Sequence, residues 1–466
     1  MKRLAGILVA LLAAVLTPAA HAVPFTQTDH VATMDDGVGI ATTLYVPEGP
    51  GRFPAIMMFH GLGGNRQSLD ALADRYAEAG YVVLVPDFRG HGQSGGLFTA
   101  DGPRELLDLA RLRESWLPAN APIDGAVGAW GISLGGGAAL RAAGEGTPFA
   151  AIQVFETWTD LYEALVPQGL PKTGAAFQFL GAVPRERQGP DVLAVSDAVA
   201  RRDVPALRAF SQSRSSRQLL GRGYPPTMFF QGRRDFAFGV EQGVGGFRAL
   251  NAPKRLYVGP FGHAPSRFPG PDVETLMARS LEWYDRWLKG IPNGVEAKPP
   301  VELASEDGTT SRTFASVPAT NGIVFDLRGR STVGSAGKAV RRTTRVPRLV
   351  ETFGAPTVSV RASSTTGWTH LVAVLVARTP SGQEIVVSEG GAPVALGRRM
   401  RRVTIRLISQ ATVIPARSRL ELTLAGTSTA QNPGNLLYLV PVPQRARITL
   451  GNAQLRLPVL RTPVSR

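Results

Sequence analysis

The run GAVGAWGISLGGGAAL (125–140) passes from small apolar residues through a lone serine set among glycines into an alanine-rich segment. Residues 125–131 form a short apolar run of the kind a buried parallel strand requires, and Ala138, Ala139 and Leu140 open a helix. Between them the chain must turn sharply, and only residues without a side chain tolerate the crowding at Gly131 and Gly135. Ser133 is thereby held at the top of the strand with its hydroxyl projecting above the sheet. The helix that follows aims its free amides and positive end at the same point, so the amide of Leu134 is placed to donate to a developing oxyanion. The stretch reads as a nucleophile elbow.

The same texture extends in both directions. GIATTLYVP (39–47) alternates like a half-exposed strand, while FPAIMMFHG (53–61), GYVVLVPDFRG (80–90), FAAIQVFE (149–156), PTMFFQG (226–232) and KRLYVGPFGH (254–263) are short apolar runs ending in turns. Helical patterns lie between them, as in GPRELLDLARLRESWL (102–117). These features predict an α/β fold with a mostly parallel sheet. Residues 157–225 contain no clear strand, and WTDLYEAL and RDVPALRAFSQS read as helical, which predicts a helical cap inserted above the sheet. The helix DVETLMARSLEWYDRWLKG (272–290) stops at Gly290. Beyond Pro292 the pattern changes to period-two alternation, as in PTVSVRAS (356–363), THLVAVLVA (369–377) and RVTIRL (402–407), which predicts an all-β sandwich over 293–466 after an α/β domain over 23–292.

A serine hydroxyl is not ionised near neutrality, so it requires a base, and the base requires an orienting acid. Of six histidines, His263 ends the last apolar run before the closing helix and follows the serine in the chain. His21 falls in the leader, His30 upstream of the sheet, His60 and His91 in turns after strands, and His370 in the β-region. Asp235 stands just past the run PTMFFQG, so the order Ser133, Asp235, His263 is that of an α/β-hydrolase triad. In HGLGG (60–64) the glycines let amides turn inward, and the amide of Leu62 is the expected second oxyanion donor. His60 reads as structural, and Asp87 and Arg89 as braces of the site's floor. No histidine pair has metal-ligand spacing, there is no cysteine, and no dinucleotide fingerprint is present, so no metal or cofactor is expected.

Composition bounds the setting. Met1-Lys2-Arg3, the apolar stretch from Leu4 to Leu16 and AAHA ending at Ala22 read as a secretory signal cleaved after Ala22, too short to span a bilayer, and predict a secreted, extracytoplasmic protein with no transmembrane segment. Zero cysteines exclude disulfides and a thiol nucleophile. The net charge of +15 is unevenly placed: residues 295–466 hold 23 Lys and Arg against 9 Asp and Glu, and the rest of the chain is nearly balanced. The densest cluster, Arg398-Arg399-Met400-Arg401-Arg402, lacks interleaved aromatics, which argues for a solvated basic face or an anionic cell-envelope surface as partner, not a nucleic acid.

At these residues the chain resembles the α/β-hydrolase superfamily, and within it the peptidase S15, cocaine-esterase (CocE/NonD) and X-Pro dipeptidyl-peptidase-like group. The resemblance is carried by YVVLVPDFRGHGQSGG (81–96), GISLGGG (131–137), QGRRD (231–235), GPFGH (259–263) and EWYDRWLKGIPNG (282–294), followed by jelly-roll-like segments such as TFGAP (352–356), VLVARTPSGQ (374–383) and SRLELTLAG (418–426). It implies an α/β-hydrolase domain joined to a jelly roll, and a serine hydrolase acting on ester or amide bonds through an acyl-enzyme, with a small-molecule or peptide acyl substrate. That group usually has Tyr directly after the nucleophile, where this chain has Leu134, and tends to use a tyrosine hydroxyl in the oxyanion hole. The first expectation is therefore an exported carboxylic-ester hydrolase. The alternatives are an X-Pro dipeptidyl-peptidase, which needs cap carboxylates such as Glu156, Asp160 or Glu163 to hold a free amino terminus, and a catalytically inactive envelope-binding protein.

Overall fold

The computed structural model describes residues 22–221, 223–429 and 436–461; the leader expectation for Met1–Ala22 lies almost wholly outside them. The first half is built on one ten-stranded sheet: β1 (Phe25–Thr33), β2 (Gly39–Pro47), β3 (Phe53–Phe59), β4 (Val82–Pro86), β5 (Ile123–Ile132), β6 (Ala151–Phe155), β7 (Thr227–Gly232), β8 (Lys254–Gly259), β9 (Val301–Ala304) and β10 (Ser311–Phe314). Their order is β1-β2-β4-β3-β5-β6-β7-β8-β9-β10, parallel from β4 through β9, with antiparallel pairs at β1–β2, β2–β4 and β9–β10.

The continuous apolar runs of the central strands are explained by burial on both faces. In β3, Ala55, Met57 and Phe59 pack into one core with Ala138, Ala139 and Leu140 of the elbow helix, while Ile56 and Met58 pack into the opposite core with Tyr76, Trp130, Trp283 and Tyr284. Each of the Ile, Leu, Met and Phe side chains among them, fully removed from water, contributes about 1.5–3 kcal/mol. The strands that carry the site are thus the most strongly anchored part of the sheet.

Two sequence expectations change. The sheet does not end before residue 293: β9 pairs in parallel with β8, and β10 pairs with β9, so the polypeptide leaves the first sheet only after Phe314. Four-residue strands at a sheet edge carry too little period-two pattern to be separated from the sandwich strands that follow. His30 is not upstream of the sheet but lies within β1, whose outward residues are polar because it is an edge strand with one half-exposed face.

Between β6 and β7 the helices Leu161–Leu165, Thr173–Leu180, Pro190–Arg201 and Val204–Gln212 form the cap, within the expected 157–225 interval. The C-terminal region is all antiparallel β. One sheet contains Thr320–Leu327, Arg447–Leu460, Thr357–Ser364 and Gly397–Arg406, with Ser331–Gly334 also paired to the long strand. The other contains Lys338–Arg345, Arg419–Ala425, His370–Arg378 and Glu384–Pro393. Val358, Val360, Leu455 and Leu457 of the first meet Leu371, Leu375, Leu420 and Leu422 of the second in a single core, which makes the region a sandwich.

Candidate active site

Ser133 sits where β5 gives way to the helix Leu134–Gly144, at φ 52° and ψ −115°, a conformation that an L-residue holds only under constraint. The constraint is visible at its neighbours. A Cβ at Gly131 would lie 2.2 Å from the Gly135 carbonyl oxygen, and one at Gly135 would lie 2.1 Å from the Phe59 carbonyl oxygen. The Ser133 amide donates to the Phe155 carbonyl at 2.9 Å, and its own carbonyl accepts from the Thr157 hydroxyl at 2.6 Å. As first residue of its helix, Leu134 has no intrahelical acceptor for its amide.

The Ser133 hydroxyl is 2.9 Å from His263 Nε2, and His263 Nδ1 is 2.7 Å from Asp235 Oδ2. Asp235 is fully buried, and four N–H groups converge on it: the amides of Ala237 (2.9 Å) and Phe238 (2.8 Å) on Oδ1, and the amide (3.1 Å) and ring of His263 on Oδ2. Gly262, at φ 132°, passes so close that a Cβ there would sit 3.1 Å from the Asp235 Cβ. Phe238 and Phe179 pack edge-on against the imidazole, at 5.2 and 6.1 Å between centroids. The sequence-selected serine, aspartate and histidine, brought from positions 102 and 130 residues away from Ser133, thus stand in one hydrogen-bonded series.

The loop HGLGG lies against the same point. The His60 carbonyl accepts from the Gly135 amide at 3.1 Å, and Leu62 lines the same cavity as Ser133 and Leu134. His60 is buried and points away: its Nε2 accepts from the Phe88 amide at 3.1 Å and its Nδ1 is 2.7 Å from the Gly61 carbonyl. Burial, reinforced by His91, presses its pKa down to about 4, so it stays neutral. Asp87 pairs with Arg66 at 2.7 Å and Arg89 with Asp108 at 2.5 Å beneath the site.

Three residues were not singled out as parts of this arrangement from the sequence. Lys172, in the cap, is buried and donates to the carbonyls of Phe236 and Ala237, both at 3.0 Å; burial lowers its pKa to about 8. Gln410, in the sandwich, donates to the Asp235 carbonyl at 2.8 Å. The aspartate loop is therefore clamped from the cap and from the second region at once. The third is Glu156, directly after β6, with φ 39°, one carboxylate oxygen within 4.8 Å of both Asp235 and His263, and Oε2 without a hydrogen-bond partner. Burial pushes its pKa up to about 8. Burial also presses His263 down, but the carboxylates of Asp235 and Glu156 outweigh it and raise the imidazole above its ordinary value. As Glu156 takes up its proton near neutrality, its share of that pull fades and Asp235 remains.

Beside Ser133 opens a chamber of about 110 Å3, walled by Phe98, Trp158, Phe179, Val195, Val199 and other apolar residues. Among the described residues, no charged side chain is part of its lining. Asp160 caps the helix Leu161–Leu165 by accepting from the Glu163 amide at 2.9 Å, and Glu163 pairs with Arg217 at 2.7 Å and Arg406 at 3.0 Å. Glu156 lies behind the imidazole. None of the three carboxylates is presented to the chamber.

With this geometry in place, the relatives are informative. Residues 36–265 match the family described as X-Pro dipeptidyl-peptidase (S15 family). This match, over just under half of the chain, makes residues 36–265 similar to the S15 family and supports a hydrolase. Among solved structures it is similar to a CocE/NonD family hydrolase from Staphylococcus aureus, with a TM-score of 0.73 at 15% identity over 94% of both chains. It is also similar to an α-amino acid ester hydrolase, with a TM-score of 0.69 at 15% identity over 97% and 98% of the two chains. At such identities the likeness establishes the two-region fold. A curated relative, the quorum-quenching protein AidA of Acinetobacter baumannii, is 40% identical over 117 residues, 23% of this chain and 37% of that protein. The chain thus matches well under two thirds of that relative's length.

Proposed function

We propose that this hydrolase cleaves carboxylic esters through an acyl-enzyme on Ser133. The observation that carries the reading is the unbroken series Ser133–His263–Asp235, whose serine lines a chamber with no charged residue among its described lining. His263 Nε2 takes the Ser133 proton as Oγ attacks the carbonyl carbon, and Asp235 holds the ring in the tautomer that leaves Nε2 free. The carbonyl oxygen becomes an oxyanion facing the amides of Leu134 and Leu62. Collapse breaks the bond to the alcohol oxygen, which receives the proton from His263. A water molecule then repeats the cycle on the acyl-enzyme and releases the acid.

The X-Pro dipeptidyl-peptidase reading asks for an anionic anchor for a free amino terminus. Asp160 and Glu163 are engaged in a helix cap and in ion pairs, and Glu156 does not line the chamber, so the ester reading is favoured. Export follows as a proposal from the pattern of residues 1–22 alone. The edge strand Gly397–Arg406 presents Arg398, Arg399, Arg401 and Arg402 to solvent, and among the described residues only Arg406 of that strand has an ion pair, which supports the proposal of an anionic surface as partner. Such binding must weaken as salt is added.

The test is labelling with a fluorophosphonate probe beside Ser133→Ala, followed by turnover of short acyl esters and of a glycyl-prolyl amide. Labelling that disappears in the variant, with ester turnover, supports the reading. Cleavage of the amide without the esters would replace it by the peptidase reading. A folded wild type that neither labels nor turns over would leave the inactive binding protein.

A further inference from the structure

Ser133 and His263 do not face the same space. Ser133, with Leu62 and Leu134, opens into the apolar chamber. His263 instead faces a second recess that it forms with Gln178, Ala237, Ala264, Leu436 and Leu437. Phe179 lines both and separates them. Resting on the ester reading, this division has a chemical consequence. The leaving alcohol must receive its proton from His263 Nε2, so the alcohol belongs on the recess side. The acyl group, bonded to Ser133 Oγ, belongs on the chamber side.

The chamber's chemistry then restricts the acyl group. Its walls are hydrocarbon supplied largely by the cap helices Thr173–Leu180, Pro190–Arg201 and Val204–Gln212, and among the described residues Ser133 and Ser211 are the only hydroxyl-bearing side chains that line it. Its far wall, with Ala176, Val195, Val199 and Leu207, belongs to the core of the cap itself. Such a space offers water few partners, so a chain enters against little competition. An ammonium group placed there would lose its hydration without compensation. We infer that the chamber is an acyl-chain site, and that the enzyme prefers esters of aliphatic carboxylic acids longer than acetate, with the alcohol in the recess.

The experiment compares kcat/KM for p-nitrophenyl acetate, butyrate and octanoate, then for ethyl and octyl acetates, in the wild type, Ala176→Trp and Val192→Phe. Along the acyl series kcat/KM is expected to rise about fourfold per methylene, the value for taking one CH2 out of water, until the chamber is full. Lengthening the alcohol should give no comparable rise. Either large substitution should reduce the octanoate-to-acetate ratio at least about tenfold. If Ala176→Trp fails to melt cooperatively, Val192→Phe carries this arm, because it adds volume at a different wall. A flat or falling acyl series, a preference that follows the alcohol, or an unchanged ratio in the folded variants overturns the assignment while acetate turnover leaves the ester reading standing. Failure of every ester, acetate included, together with absent probe labelling, overturns both.

Discussion

Two carboxyl groups flank His263, and they are treated in opposite ways. Asp235, on the loop after β7, accepts four N–H donors while fully buried. Glu156, on the turn after β6, is buried just as firmly, yet Oε2 finds no donor and its pKa is pushed up to about 8. Burial with no donor on Oε2 disfavours the charged form of Glu156, whereas the N–H groups around Asp235 stand in for the water that burial removes.

The largest effect that would break this contrast is Asp235→Asn. It keeps the shape but replaces an acceptor oxygen by a donor, which favours the wrong imidazole tautomer, and kcat should fall about 10^4-fold in a steady-state assay. Next is Lys172→Met. It removes the cation that holds the Phe236 and Ala237 carbonyls, should lower stability by about 1–3 kcal/mol on thermal or denaturant unfolding, and should lower kcat/KM about tenfold by loosening the aspartate loop. Gln410→Ala should act in the same direction with a smaller loss, since a single hydrogen bond is involved.

Glu156→Gln sharpens the comparison with the smallest effect on maximal rate. Its carboxylate favours the protonated imidazole, so its removal should shift the acid limb of the pH profile of kcat/KM to lower pH. The stability effect has a defined sign. A carboxyl whose folded pKa is raised contributes stability that is fully present below its ordinary value of 4.5 and is lost as pH rises towards about 8. The wild type should thus lose stability across that window in thermal unfolding scans, and the glutamine variant should lose less. An unchanged pH profile together with an unchanged stability slope would show that Glu156 is electrically silent towards His263.

Much of this was legible from local pattern. The elbow around Ser133 is encoded by steric demand within five residues, and an apolar run buried on both faces needs no distant information to be recognised. Asp235 and His263 could be chosen because strand ends in a parallel sheet converge on one edge, so position after a strand stands in for position in space. β1 and the pair β9 and β10 were not legible, because edge strands mix polar and apolar residues and are defined by what they pair with.

By itself, then, the sequence determined the two kinds of sheet and the strained turn at Ser133, which follow from steric and periodic rules acting over a few residues, and pointed to Asp235 and His263 by their places after strands. Only the tertiary structure decided that Lys172 and Gln410 clamp the aspartate loop, that Glu156 lies beside Asp235 and His263 with Oε2 unpartnered, and that Phe179 lines both the chamber beside Ser133 and the recess beside His263. Each of those depends on groups far apart in the chain meeting in a space from which water is excluded, and there hydrogen-bond donors and apolar walls, not residue type, set charge and specificity.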